Sequence, residues 1–199
     1  MINLVKKFLI NEEYHFVEDE SFVQVFYGKD NVYPEDYILL RKQEINIEVL
    51  EVHRNEKKEI LKSTDENFAI MTTVIMCKRI FEAPNNEVSI TREIRNEVTK
   101  ENIDRANQIL YKNLNADLFS IIKEEFDKVS LLMKGSKSDI KFQDKYITEN
   151  ANLSRGYVVL YNYTKRLMEF EKIYNKLKDE FNVQNQYKKL AGLYIFGKL

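Results

Sequence analysis

With 199 residues, 44% of them hydrophobic, the chain is long enough to bury a full core and too apolar for a disordered segment. Its 31 basic and 32 acidic side chains leave a formal net charge of -1, which excludes the strongly basic footprint of a general nucleic-acid binder. A single cysteine, Cys77, excludes an intramolecular disulfide.

The opening Met1 to Ile10 carries two central lysines and no long apolar core, so it reads as a poor secretory signal. Leu4, Val5, Phe8 and Leu9 fall at helical spacing and predict a short helix over 3–12. The acidic run Glu12, Glu13, Glu18, Asp19, Glu20 follows. Phe22 to Gly28 alternates as a strand, and Gly28 to Asn31 with Pro34 has the breaker chemistry of an exposed loop, also acidic through Asp30, Glu35 and Asp36.

Three strand-like runs come next: Tyr37 to Lys42, Ile45 to His53 and Lys57 to Leu61. The gaps between them are short, as in an antiparallel sheet. Ser63-Thr-Asp-Glu66 has the spacing of a capping box and predicts a helix start at Ser63. The run Phe68 to Cys77 leaves almost no polar surface, as expected of a helix buried between the sheet and another layer, with Cys77 as a buried free thiol of a reducing compartment. Pro84-Asn-Asn ends that unit, and the weakly periodic Val88 to Val98 reads as irregular structure near a domain boundary.

After Thr99, read as an N-cap, Ile103, Ala106, Leu110 and Leu114 mark one helix, and Leu118, Ile122, Phe126, Val129 and Met133 a second. Gly135 closes it, a connecting segment carries a short strand at Ile140 to Phe142, and Leu160, Tyr163, Leu167, Phe170, Tyr174, Leu177 and Phe181 form the seam of a long helix over 153–181. The apolar end, Leu190 to Phe196, is expected to dock. The fold class is α+β: a small antiparallel sheet with a covering helix over 1–98, followed by a C-terminal helical bundle over 99–199 packed on it.

Motifs for chemistry are sparse. The two histidines, His15 and His53, belong to no HExxH or other ligand spacing, and five glycines form no phosphate-binding loop. No metal, no cofactor and no catalytic residue is therefore assigned. Glu48, Glu51, His53 and Arg54 share one strand, but Glu51 and His53 face one side and Glu48 and Arg54 the other, so they read as cross-strand ion pairs rather than an acid–base dyad. Charge is uneven: residues 1–66 hold 15 acidic and 9 basic side chains, residues 151–199 hold 4 and 9. Such asymmetry orients a charged partner. The partner-binding residues are accordingly Glu18, Asp19, Glu20, Asp30, Tyr33, Glu35 and Asp36.

The stretch Tyr37 to Arg41, Ile47 to Arg54, Lys58 to Lys62, Ser63 to Glu66 and the apolar helix to Phe81 resembles the small sheet-and-helix immunity partners of bacterial polymorphic toxins. In that pattern a tyrosine-led strand, a Glu-Val strand ending in Arg and a capped helix follow one another over about 45 residues. The resemblance implies a cytoplasmic, non-enzymatic inhibitor that binds a cognate toxin. Two other classes compete with it. One is a helical adaptor forming a homodimer or hetero-complex through 99–199, and the other a hydrolase with an unrecognised carboxylate site. No stretch has the roughly 18 consecutive apolar residues of a membrane span.

Overall fold

In the computed structural model, residues 2–28, 35–82, 84, 87–181 and 186–199 are described. The chain is α+β and divides into two compact units, one of residues 1–83 with 173–199, the other of residues 84–172.

The first unit is built on five antiparallel strands in chain order: β1 (Tyr14–Glu18), β2 (Phe22–Tyr27), β3 (Asp36–Lys42), β4 (Ile47–His53) and β5 (Glu56–Ser63). Every connection joins neighbours, as the short gaps predict. β3, β4 and β5 are the three runs read from the alternation, whereas β1, only five residues with a mixed pattern, is an addition. Cross-strand register places Ile38, Leu40 and Val49 on one face, all fully buried. Helix α2 (Glu66–Phe81) packs against β3, β4 and β5. Leu39, Leu50 and Val52 form a second buried cluster on the opposite face, with Phe22 and Tyr37 packed against it.

Helix α2 is core throughout its middle, with Phe68 to Cys77 all buried. It also packs against α1 (Ile2–Phe8) and α6 (Tyr187–Phe196), so the expected burial between two layers holds. Its start differs from the capping-box reading. Asp65 is the N-cap and accepts from the Phe68 N–H at 3.0 Å, while Ser63 accepts from the Asp65 N–H. A carboxylate one residue before the helix outcompetes the more distant hydroxyl for the free donors and favours the positive end of the helix dipole. The docked C-terminus is tied by Arg79, which donates to the Tyr194 carbonyl at 2.9 Å.

The second unit departs further from the bundle expectation. Val88–Thr99 is a helix, α3, where irregular structure is expected; only Ile94 and Val98 are buried on it, so the apolar signal is thin. Thr99 ends that helix instead of capping the next, and Asn102 precedes α4 (Ile103–Asn113). In place of a helix over 118–133 lie a short 3-10 turn (Ala116–Leu118) and β6 (Phe119–Ser120), followed after a loop by β7 (Val129–Lys134). β7 pairs with β8 (Lys137–Phe142), and β8 with β9 (Lys145–Asn152), in a four-stranded sheet in which β6 runs parallel to β7. The long helix α5 (Leu153–Phe181) has the expected bounds; its residues 153–172 belong to the second unit and 173–181 to the first. Within the second unit, Tyr157 of α5 donates to Asn107 of α4, and Tyr161 donates to Glu87, which also pairs with Lys165. Among the described residues no helix is long and apolar enough to cross a membrane.

Candidate functional site

Antiparallel pairing of β3 and β4 decides which side chains meet at the edge of the first sheet. The register sets Asp36 opposite His53, Tyr37 opposite Val52 and Ile38 opposite Glu51. These three pairs, with Ile80 and Phe81 from the last turn of α2, line a cavity of ≈ 310 Å³ that opens to solvent. Ile80 and Phe81 give it apolar surface, and the strand ends give it two carboxylates and one imidazole.

Glu35, Asp36 and Glu51 at this end each have a cross-strand or adjacent partner. Asp36 Oδ1 lies 2.6 Å from His53 Nδ1, a hydrogen bond that becomes an ion pair when the imidazole is protonated. Lys58 of β5 reaches Glu51 at 3.5 Å, and Arg54 reaches Glu35 at 3.6 Å. The backbone supports the same arrangement. Arg54 and Asn55 join β4 to β5 with φ of 48° and 69°, the left-handed pair of a type I′ hairpin turn, and the Arg54 N–H donates to the Glu35 carbonyl. The reading of Glu51, His53 and Arg54 as cross-strand pairs therefore holds. So does that of Glu48, although it is far from solvated: at 5% exposure it accepts from Arg41 at 2.7 Å and Gln43 at 3.1 Å and pairs with Lys62 at 3.2 Å. The hydrogen bond from Arg41, aided by Lys62, holds the Glu48 carboxyl below its ordinary range.

The acidic residues expected to form one binding surface do not lie together. Glu18, Asp19 and Glu20 sit at the β1–β2 hairpin, whereas Glu35 and Asp36 sit at the other end of the strands, about 20 Å away along the six residues of β2. Adjacency in sequence concealed this because β2 reverses the chain between the two groups. Asp19 is an intrinsic part of its turn, accepting from the Ser21 N–H, the Ser21 hydroxyl and the Phe22 N–H; the bond from the Ser21 N–H comes first in holding its carboxyl below the usual range. Glu18 pairs with Lys6 at 2.8 Å. Asp30 and Tyr33 lie outside the described residues, as do the other loop residues 29–34 with Pro34.

Of the two histidines, His15 bonds the Gly28 carbonyl from β1, three strands and about 14 Å across the sheet from His53. Among the described residues no group of three or more His, Cys, Asp or Glu is placed to hold a metal ion. Cys77 is fully buried, and burial pushes its thiol well above the ordinary range, away from the reactive thiolate. Ile80 and Phe81 went unrecognised as site residues, because their part depends on where α2 stops above the strand ends. Phe81 is fixed there by stacking on Tyr27, centroids 5.5 Å apart, and by the edge of Tyr14. No family model matches the chain, and comparison with curated proteins and with solved structures finds no match.

Proposed function

We propose that this chain is a non-enzymatic protein-binding inhibitor, of the immunity type suggested by residues 37–81, that neutralises a cognate bacterial toxin by direct contact. The observation that supports it is the sheet end at Asp36, Glu51, His53 and Arg54, whose charged side chains are already paired across strands around a partly apolar cavity. A surface ordered before binding loses less side-chain entropy on association, which favours tight recognition. The expected partner is a protein with a basic contact surface. Co-expression with the toxin encoded by the neighbouring gene is expected to restore growth through a complex; restored growth with the toxin found chemically altered would replace inhibition with an enzymatic reading.

The adaptor reading draws on a different observation in the second unit. In the loop between β6 and β7, Ile122 is 89% exposed and Phe126 48% exposed. Self-association lost in an Ile122→Ser, Phe126→Ser variant during sedimentation would favour it over the inhibitor.

A further inference from the structure

The cavity at the end of the first sheet has a definite electrostatic character. Of its eight lining residues, Asp36 and Glu51 are acidic, His53 and Tyr37 are the other titratable groups, and none is a lysine or arginine; Lys58 pairs with Glu51 from outside the lining. The remaining wall is Ile38, Val52, Ile80 and Phe81. Ile80 and Phe81 belong to the C-terminal turn of a 16-residue helix, whose partial negative charge is already met by Lys78 and Arg79 of that turn. Carboxylates and an aromatic ring favour a cation, and the apolar surface of Ile80 and Phe81 favours one carried on a hydrocarbon stem. The hollow, ≈ 310 Å³ with its open mouth included, suits one side chain rather than a cofactor.

We propose that this cavity receives one cationic side chain, an arginine or lysine, projecting from the protein partner. The inference rests on the inhibitor reading above and names the chemistry by which that partner is recognised. The partner's stem packs on Ile80 and Phe81 while its charged head meets the outer oxygens of Asp36 and Glu51. His53 and Lys58 hold the two carboxylates in place from the side, so binding requires no rearrangement of the strands.

Two arms of one experiment test this. In the first, N-acetyl-arginine amide is titrated into the isotope-labelled full chain into the millimolar range while the methyl signals of Ile38 and Ile80 are followed by NMR. Saturable shifts confined to those methyls, absent with the neutral N-acetyl-citrulline amide and lost in the Asp36→Asn, Glu51→Gln double variant, are expected. Absence of shifts, or equal shifts with the citrulline compound, would overturn the proposal. Both substitutions lie at the solvent edge, and an unchanged melting curve verifies that the variant folds. In the second arm the affinity of the double variant for the neighbouring toxin is compared with that of the parent chain. A loss of about tenfold or more is expected for removal of a charge pair at a contact. Unchanged affinity overturns the cavity's role and leaves the inhibitor reading standing; failure of the parent chain itself to bind removes that reading, and the amide titration alone then decides the cavity.

Discussion

Glu48 shows how a residue's environment sets its contribution. Its carboxylate is nearly removed from water, yet Arg41, Gln43 and Lys62 supply donors to it, so the charged form is retained. Glu48→Gln is expected to cost about 1.5–3 kcal/mol in denaturant unfolding, the scale for hydrogen bonds to a charged group. Depressed carboxyls work in one direction with pH. They contribute stability above the unfolded value of about 4.3 for Glu and 3.9 for Asp, and lose it as pH falls through the lower folded value. Asp139, held low first by the Asn150 N–H and then by Lys134, acts the same way. The denaturation midpoint should fall steeply below about pH 4, and less steeply in Glu48→Gln; equal acid sensitivity would show that the network carries no linkage. Gly156 offers a steric counterpart. A Cβ there would lie 2.0 Å from the Ser138 hydroxyl and 3.1 Å from its Cβ, so α5 and β8 approach too closely for any side chain. Alanine inside an unconstrained helix stabilises by roughly 1 kcal/mol. Gly156→Ala is expected instead to destabilise by about 1–2 kcal/mol, with partial recovery in combination with Ser138→Ala, as thermal melts would record.

At the scale of elements, burial decides which sequence patterns are informative. The run Phe68 to Cys77 is legible as a buried helix because nearly every position is apolar and the structure uses all of them. Met71, fully buried, should not tolerate aspartate: Met71→Asp is expected to cost more than about 4 kcal/mol and abolish cooperative melting, while Asp65→Ala at the N-cap costs about 1 kcal/mol. A larger effect from Ser63→Ala than from Asp65→Ala would restore the capping-box start. Leu118, Ile122, Phe126, Val129 and Met133 misled because their 3-to-4 spacing mimics a helix face although Ile122, Phe126 and Met133 are exposed. The strand there, β7, buries Val129, Ser130 and Leu131 in succession, so its short run gives no alternation to read. Helix α3 is obscure for the opposite reason, since its charged residues surround only two buried ones. The long seam of α5 is legible because six of its seven expected positions are buried across 29 residues; at the seventh, Tyr163 is half-buried and the neighbouring Thr164 takes the buried place. At the candidate site, Asp36, Glu51 and His53 are visible one by one, but their meeting depends on the β3–β4 register, and the part of Ile80 and Phe81 on the end point of α2.

For the whole molecule, a formal charge of -1 hides how charge is distributed, and the two acidic groups at opposite ends of the first sheet act independently. Reversal of Glu35 and Asp36 to lysine is expected to slow association with a basic partner and flatten its salt dependence, whereas reversal of Glu18 and Glu20 leaves both nearly unchanged. Stopped-flow association rates across a salt series distinguish the two ends, and equal effects at both would point to general attraction instead of contact at the cavity end. Exposed charges contribute little to folding, so neither variant should unfold. The most direct test of the inhibitor reading is to mix the purified chain with the purified product of the neighbouring gene, which that reading expects to be a toxin, measure mass by light scattering during gel filtration, and follow binding by calorimetry. A complex of fixed ratio is expected, with nanomolar or tighter affinity, about -12 kcal/mol, and loss of toxin activity at the same ratio. Separate elution with no heat of binding, while the chain still protects cells, would contradict inhibition by direct contact.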